Sequence, residues 1–319
     1  MPYRVVFMGT PEFSLPSLSL LAASRDFSVE LVITQPDRPR DRGMKLHPPP
    51  VKVLADELHL PVCQVETLDA PELWERLRQL APDFLVVVAF GMKIPNAMLA
   101  VPRLGSVNLH PSLLPKYRGA APIQWALING ESVTGVSTQF VAEAWDSGDL
   151  IDQEPAVIEP QDNYATLSTK LAEQGAHLLL KSLSDVGAGR ARPRPQEAGQ
   201  ATPARRISKE LGRIDWNQPA LRIHNLVHGL TPKPGAYSFL SGKRVKLIAT
   251  SPHPKRQTPG VPGEVVSLRF SDRVIVKTGK GDLVIETLQR EGGAVMSARD
   301  FINGYRVRVG DRFTDQAKP

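Results

Sequence analysis

The chain has 319 residues, of which 41% are hydrophobic and 23% charged, a length and composition typical of a soluble protein with two domains. No segment approaches the roughly 18 uncharged apolar residues of a membrane span, the first residues lack a signal-peptide pattern, and the lone Cys63 cannot form an intramolecular disulfide. The net charge is +6, and from these features we expect a cytoplasmic protein that does not enter a membrane.

The first half of the sequence contains several strand-like runs. The segments 3–9 and 29–34 are short and rich in Val and Ile, and 83–91 is an unbroken apolar run. Such runs are typical of parallel strands that are covered on both faces.

Helical patterns lie between and after these runs. The spacing of three leucines predicts a helix over 69–81, with Asp69 as its capping residue, and a longer helical pattern covers 164–186. The alternation of strands and helices predicts an α/β domain over residues 1–188, built on a doubly wound, mostly parallel sheet.

The segment 36–50 does not fit this alternation, because it carries five prolines. Proline excludes a helix interior or a central strand, and connections of this length are usually functional or disordered. A plain solvated loop is the alternative. The basic residues of the segment are Arg38, Arg40, Arg42 and Lys45.

Two polar side chains interrupt the apolar run "SVNLHP". In a strand Asn108 and His110 share one face, whereas their apolar neighbours point to the other, and Pro111 ends the strand. Both side chains should therefore project from the carboxyl end of a parallel strand, where open α/β sheets bind their ligands. A purely structural role for the pair is the alternative.

A carboxylate follows the strand-like start of the segment 134–151. Asp146 lies in a Ser-Gly-Asp turn in which it is either a turn former or a functional group, and Asp149 competes for the same role. A neighbouring strand end would bring Asp146 to His110, and a carboxylate beside an imidazole favours the cation. An amide, an imidazole and a carboxylate together suit an amine that attacks a one-carbon acyl group through a tetrahedral oxyanion.

Several common motifs are absent from the sequence. It has no G-x-G-x-x-G, no G-x-x-x-x-G-K-[ST] and no H-E-x-x-H, so a dinucleotide, P-loop or zincin site loses support. His224 and His228 are four residues apart on a predicted helix, but no third ligand lies near them. We therefore predict no metal site.

The pattern changes after residue 188. Residues 189–206 are rich in Gly, Pro, Ala and Arg and are expected to form a linker, and over 207–319 short strands with tight turns predict a small OB-like β-barrel. Residues 1–188 contain 15 Lys and Arg against 22 Asp and Glu, whereas the remainder contains 24 against 11. A split from −7 to +13 indicates that the second half contacts a polyanion, most simply nucleic acid.

The sequence resembles the methionyl-tRNA formyltransferase family at "MGTPEF", "TQPDRPRDRG", "VVVAFGMKIP", "NLHPSLLPKYRGAAPIQWALINGE", "WDSGDLI", "RRISKELGRIDW" and "GLTPKPGAY". This resemblance implies an enzyme that transfers the formyl group of 10-formyltetrahydrofolate to the α-amine of methionyl initiator tRNA for translation initiation. It implies no metal, and we expect a monomer.

The resemblance also implies residue roles. The catalytic residues would be Asn108, His110 and Asp146. The folate-binding residues would be Ser112, Leu113, Leu114 and Pro115, with Phe90 and Gly91 on the pocket wall. The tRNA-binding residues would be Arg38, Arg40, Arg42, Lys45, Phe13, Arg205, Arg206 and Lys209.

The chain departs from the family pattern at two places. Around Arg42 it reads "DRGMK", where the family often has Gly-Arg-Gly-Lys-Lys, and before Asp146 it reads "AEAW", where acidic Asp-Glu-Gly is common. Two alternatives therefore stay open. One is a folate-dependent formyltransferase that acts on glycinamide ribonucleotide or a nucleotide-linked amino sugar, and the other is an RNA-binding protein without catalysis.

Overall fold

The computed structural model of the chain describes residues 1–40, 45–269 and 272–316, without the side chains of Arg40 and Arg269. Internal contacts divide the chain into two compact units. The first unit contains Met1–Pro122, Val133–Val157 and Ser168–Arg205, and the second contains Ile123–Ser132, Ile158–Leu167 and the chain from Arg206 onward. The division at residues 188 and 206 stays a prediction.

The first unit is built on a mostly parallel sheet. Its strands are β1 (Tyr3–Gly9), β2 (Phe27–Thr34), β3 (Arg38–Arg40), β4 (Lys45–His47), β5 (Val62–Gln64), β6 (Phe84–Val88), β7 (Gly105–His110), β8 (Arg118–Gly119), β9 (Val133–Phe140), β10 (Leu150–Val157) and β11 (Pro203–Ala204). The main sheet has the order β10-β9-β7-β6-β1-β2-β5. Strands β5, β2, β1, β6 and β7 pair in parallel, and β9 and β10 are antiparallel. The predicted doubly wound α/β class is confirmed.

Helices follow or separate these strands. They are α1 (Leu15–Ala23), α2 (Pro50–Glu57), α3 (Pro71–Leu80), α4 (Asn96–Leu99), α5 (Pro122–Asn129) and α6 (Tyr164–Gly187). The expected capping by Asp69 is wrong, since Ala70 occupies the N-cap without a side-chain cap bond. The reason is Pro71, whose ring holds Ala70 in an extended conformation and which fits the first helical turn.

The edges of the main sheet differ from its centre. The central strands β1 and β6 are almost completely buried, as their continuous apolar runs predict. One edge is β5, which has three residues, and the other is β10, which contains Pro155. The outer side of β10 begins with a backbone bridge between Leu150 and Arg194.

The proline-rich segment forms a short hairpin. Strands β3 and β4 pair antiparallel, with Arg38 opposite His47 and Arg40 opposite Lys45. At its base the Asp37 carboxylate accepts hydrogen bonds from Gln64 Nε2 at 2.7 Å and Lys52 Nζ at 3.1 Å, which lower the pKa of Asp37. Among the described residues of the segment, none lies in a helix interior or in a strand of the main sheet, as predicted.

The second unit contains an antiparallel sheet and two further helices, together with most of α5 and the first turn of α6. Its strands are β12 (Ala236–Leu240), β13 (Lys243–His253), β14 (Val265–Arg269), β15 (Arg273–Lys277), β16 (Asp282–Arg290), β17 (Val295–Ser297) and β18 (Phe313–Thr314), and its helices are α7 (Ala220–Leu230) and α8 (Ala298–Tyr305). The order is β14-β15-β16-β13-β12-β18, with β17 paired to β16.

The two ends of this sheet meet. Val265 N donates to Asp311 O at 2.7 Å and Phe313 N donates to Gly263 O at 2.8 Å, so the residues beside β14 contact those beside β18. The sheet therefore curls around an apolar core, which confirms the predicted OB-like barrel. None of the helices among the described residues has the length and hydropathy needed to cross a bilayer.

Candidate active site

The polar pair of strand β7 lies at its carboxyl end. Val107 and Leu109 are buried on one face, so the alternation of the strand places Asn108 and His110 together on the other. Asn108 is half-buried and lies opposite Gln139 of β9. His110 is buried. This is the edge of the sheet at which the sequence predicts the ligand site.

Asp146 contacts both members of the pair. Its Oδ1 lies 3.4 Å from Asn108 Nδ2 and 3.5 Å from His110 Nδ1, and the side chain of Gln139 donates to the same oxygen at 3.3 Å. Its Oδ2 accepts from Gly119 N at 2.9 Å. Of the two candidate carboxylates it is therefore Asp146 that reaches the amide and the imidazole, whereas Asp149 is exposed.

The local backbone explains how Asp146 reaches this position. Asp146 has φ +51°, a left-handed conformation that non-glycine residues rarely adopt and that needs support from neighbouring groups. Gly148 follows it, and a Cβ on Gly148 would lie 1.8 Å from Phe140 O. Only glycine allows the loop between β9 and β10 to pass this close to the end of β9.

The ring of His110 is held from its far side. Its Nε2 lies 2.9 Å from Tyr117 O. Because a carbonyl oxygen only accepts hydrogen bonds, Nε2 carries a hydrogen, and Nδ1 is the ring nitrogen that faces Asp146. A second proton on the ring therefore sits on Nδ1, between the imidazole and the carboxylate.

A small cleft opens beside these groups. Apolar side chains form much of its wall, and amide, carboxylate and ammonium groups line the rest, which is a composition suited to a small-molecule site. The lining residues are Val87, Met92, Lys93, Ile94, Asn108, Gln139, Val141, Ala142, Glu143, Trp145 and Asp146. Trp145 is an exposed member of this lining.

The turn predicted to bind folate lies directly after β7. Ser112 and Leu114 are buried, and the Ser112 hydroxyl donates to Lys116 O at 2.6 Å. Leu114 N donates to Ser137 Oγ at 3.1 Å, and Leu114 O accepts from Gln153 Nε2 at 2.9 Å. The turn is thus held rigidly, with Leu113 and Pro115 half-buried.

Neither residue of the predicted pocket wall lines the cleft, since Phe90 is buried and Gly91 is exposed to solvent elsewhere in the loop. Phe90 packs in the apolar core of the first unit, and its carbonyl accepts from Gln35 Nε2 at 2.9 Å. Gly91 has φ +80°, a conformation suited to glycine. It is the next residues of the same loop, Met92, Lys93 and Ile94, that line the cleft.

The predicted tRNA-binding residues that the structure describes are mostly exposed. Phe13 differs, because its side chain is buried. The side chain of Arg40 and the whole of Arg42 lie outside the described residues. The exposed members are Arg38, Lys45, Arg205, Arg206 and Lys209.

Sequence reasoning missed the polar neighbours of Asp146. Gln139 is almost completely buried, and its polar side chain within the strand-like run "GVSTQFV" is a signal of a site. Gly119 contributes only its backbone N–H, and Gln196, which contacts the Asp146 loop, lies in a segment whose composition is that of a linker. Nothing in the sequence around Gly119 or Gln196 indicates that either residue contacts the Asp146 loop.

The histidine pair of the second unit lies away from any group of ligands. The rings of His224 and His228 are 4.0 Å apart, and Nδ1 of His224 lies 3.1 Å from Thr250 Oγ1. Burial, together with the charge of His228, lowers the pKa of His224 to about 4. Among the described residues, no group of three His, Cys, Asp or Glu side chains is placed to hold a metal ion.

Comparison with known proteins assigns both units to one group. The formyl transferase family pattern matches residues 3–183, and the formyl transferase C-terminal domain pattern matches residues 206–306. Methionyl-tRNA formyltransferases from Thermodesulfovibrio yellowstonii and a Synechococcus species are each 43% identical to the chain. The alignments cover 96% and 97% of this chain and 97% and 98% of the two relatives.

Solved structures with the same fold were also found. HypX from Aquifex aeolicus in complex with tetrahydrofolic acid aligns with a TM-score of 0.62 and 21% identity, over 97% of this chain and 48% of that chain. WlaRD, a sugar 3N-formyl transferase, aligns with a TM-score of 0.67 and 16% identity, over 92% of this chain and 100% of that chain. At these identities the likeness supports the fold.

Proposed function

The chain belongs to the methionyl-tRNA formyltransferase family, and from this premise we propose that it transfers the formyl group of 10-formyltetrahydrofolate to the α-amine of methionyl initiator tRNA. The product is N-formylmethionyl-tRNA, which serves translation initiation. The observation that supports the chemistry best is the convergence of Asn108, His110 and Asp146 at the carboxyl edge of the sheet, beside a cleft.

The reaction forms one carbon–nitrogen bond and breaks another. The neutral α-amine attacks the formyl carbon, and the carbonyl electron pair moves onto the oxygen to give a tetrahedral oxyanion. When the carbonyl re-forms, the bond to N10 of the folate breaks. The proton lost by the attacking nitrogen ends on N10, so tetrahydrofolate leaves as a neutral amine at that position.

Asn108 and His110 supply the donors that this oxyanion needs. Asn108 lines the cleft together with Asp146, and the Nδ1 edge of His110, which faces Asp146, donates when the ring carries its second proton. One such donor contributes roughly 3–4 kcal/mol to transition-state stabilisation. The proposal assigns Asn108 and His110 as the catalytic donors.

Asp146 has the complementary role in the proposal. Its carboxylate holds the Nδ1 side of the imidazole at 3.5 Å, while Tyr117 O holds the Nε2 side at 2.9 Å. A ring fixed from both sides loses little orientational freedom when the reaction begins. The carboxylate also accepts protons, directly or through water, from the attacking amine.

The cleft suits the folate donor, because its wall is largely apolar and it also contains the polar groups of Asn108, Gln139 and Asp146. We propose that the turn Ser112–Pro115 and the loop after β6, with Phe90 and Gly91 at its start, shape the folate site. Their hydrogen bonds to the β9 and β10 side chains and to Gln35 keep the walls of that site rigid.

The positive charge of the second half suits the tRNA backbone. Exposed Lys and Arg side chains bind phosphate largely without regard to sequence and with strong salt dependence. We propose that tRNA contacts are made by basic residues of both halves of the sequence and by one aromatic residue. They are Arg38, Arg40, Arg42, Lys45, Arg205, Arg206, Lys209 and Phe13. A tRNA substrate also favours a cytoplasmic location, and we expect the protein to act as a monomer.

The test mixes the purified chain with a labelled formyl-folate donor and one acceptor at a time. The acceptors are methionyl initiator tRNA, methionyl elongator tRNA, glycinamide ribonucleotide and a nucleotide-linked amino sugar. We expect label on the initiator tRNA, with much less on the elongator. Label only on a small amine, or on no acceptor while tRNA still binds, would contradict the proposal.

A further inference from the structure

The segment 189–206 is more than a connection. Residues 192–200 are exposed with one exception, Gln196, which is half-buried. A half-buried amide side chain in an otherwise exposed segment indicates that it binds a specific partner. The structure gives Gln196 partners on both ends of its amide.

The orientation of this amide is set by Arg118. The Gln196 Oε1 accepts from Arg118 Nε at 3.0 Å and from Nη2 at 2.6 Å. Because a guanidinium only donates, the oxygen of the amide must face Arg118 and the nitrogen must face away from it. The NH₂ group is therefore directed at the groups on its other side.

Those groups belong to the loop that carries Asp146. Gln196 Nε2 lies 2.9 Å from Asp146 O, 2.8 Å from Gly148 O and 2.9 Å from Gln139 Oε1. Its two hydrogens are shared among three acceptors. One amide thus binds two carbonyls of the strained turn and one side chain beside it.

We infer that Gln196 is a positioning residue for Asp146, an inference that rests on the proposed function. It acts in two ways, since it holds the backbone of a residue with φ +51° and it orients Gln139, whose Nε2 donates to Asp146 Oδ1 at 3.3 Å. A conformation of this kind persists only when surrounding contacts hold it. Without Gln196 the carboxylate moves relative to His110.

The same segment holds the other side of the site. Thr202 Oγ1 accepts from Tyr117 N at 2.8 Å, Thr202 O accepts from Arg118 N at 2.8 Å, and β11 pairs with β8. Tyr117 O is the partner of His110 Nε2, and Gly119 N is the donor to Asp146 Oδ2. The segment therefore contacts the backbone groups that hold His110 and Asp146.

The test is a double-mutant cycle between Gln196→Leu and Asp146→Asn, measured under single-turnover conditions with initiator tRNA. We expect Gln196→Leu to lower the rate of formyl transfer by about 10-fold or more in the wild-type background, because small misplacements are costly. The KM values for tRNA and for the folate donor should stay within about twofold. In the Asp146→Asn background the same substitution should change the rate by less than about twofold.

Two further variants keep the result interpretable. Gln196→Glu keeps the oxygen that faces Arg118 but loses the donor and adds a charge near Asp146, so it should lose at least as much rate. Gln200→Leu, in the same exposed segment, should keep the wild-type rate.

An equal rate loss from Gln196→Leu in both backgrounds, or a wild-type rate in Gln196→Glu, would overturn the inference. A wild-type chain that labels no tRNA would instead overturn the proposed function, so the two failures are distinct.

Discussion

The sheet edge to which we assign catalysis, called the catalytic edge below, and the basic residues that we assign to tRNA use polar side chains in opposite ways. Asn108, His110 and Asp146 are wholly or partly buried and are joined to one another by contacts of 3.4–3.5 Å. Arg206 and Lys209 are exposed. Stabilising a transient charge needs donors that are already oriented, whereas attraction to a polyanion needs charge at the surface.

This difference predicts which measured quantity each region controls. The catalytic edge should control the rate of the chemical step and leave tRNA affinity unchanged. The basic residues should control affinity and its salt dependence and leave the chemical step unchanged.

The largest effect is expected at the catalytic edge. Asn108→Ala removes one oxyanion donor, so we expect kcat to fall by about 10²–10³-fold. The tRNA dissociation constant, measured by filter binding, should stay within about twofold. Asn96→Ala, at an exposed position of the same unit, is the matched control and should keep the wild-type kcat. If Asn108→Ala instead kept the wild-type kcat and lost tRNA binding, Asn108 would belong to the tRNA site and its assignment as a catalytic donor would be wrong.

A smaller effect is expected at His224, and it tests whether a buried polar side chain away from the catalytic edge has any catalytic role. Burial and the nearby charge of His228 lower the pKa of His224 to about 4, from about 6.5 in an unfolded chain. Between about pH 4 and pH 6.5, the unfolded chain therefore binds a proton at His224 that the folded chain does not bind. The contribution of this group to the free energy of unfolding is therefore complete above pH 6.5 and decreases as the pH falls toward 4.

The expected loss is about 2 kcal/mol once partial exposure of the ring is allowed for. The groups that face the ring are His228 and Thr250. Urea unfolding at several pH values should show a flatter profile for His224→Gln than for the wild type, with kcat unchanged. His177→Gln, an exposed histidine on α6, should keep the wild-type profile. If the free energy of unfolding depended on pH equally in His224→Gln and His177→Gln, the assignment of this pH dependence to His224 would be wrong.

The smallest effect is expected at the basic surface. Replacing Arg206 and Lys209 together by Gln should raise the KM for tRNA about 10-fold and reduce the salt slope of binding by about two, since each phosphate contact contributes about one. The kcat at saturating tRNA should stay within about twofold. Arg76→Gln with Arg78→Gln, an exposed pair on α3, removes the same charge and should leave the KM unchanged. Equal effects of the two pairs would show that only net charge matters.

Much of the fold follows from local patterns in the sequence. Strand β1 has the predicted bounds 3–9 and α6 ends within one residue of the prediction, because an unbroken apolar run and a long helical repeat are strong signals. The start of α3 was predicted less well. The sequence predicts Asp69 as the capping residue, but the stiffness of Pro71 sets the first turn.

The candidate site divides in the same way. The shared face of Asn108 and His110 follows from the strand period and from Pro111, so it is predictable from six adjacent residues. The contact from Gln196 to Asp146 joins residues 50 apart in the chain. The composition around Gln196 is that of a flexible segment, and nothing local indicates which loop it contacts.

The edges of the main sheet have a consequence for how the chain behaves at high concentration. An unprotected edge strand offers a row of free backbone groups that pairs with another molecule and begins aggregation. Here one edge is only three residues long, and the other contains a proline, which lacks an N–H, and is bridged at its start by Arg194. We therefore expect newly made copies of this chain to resist sheet-to-sheet association while they await their substrate.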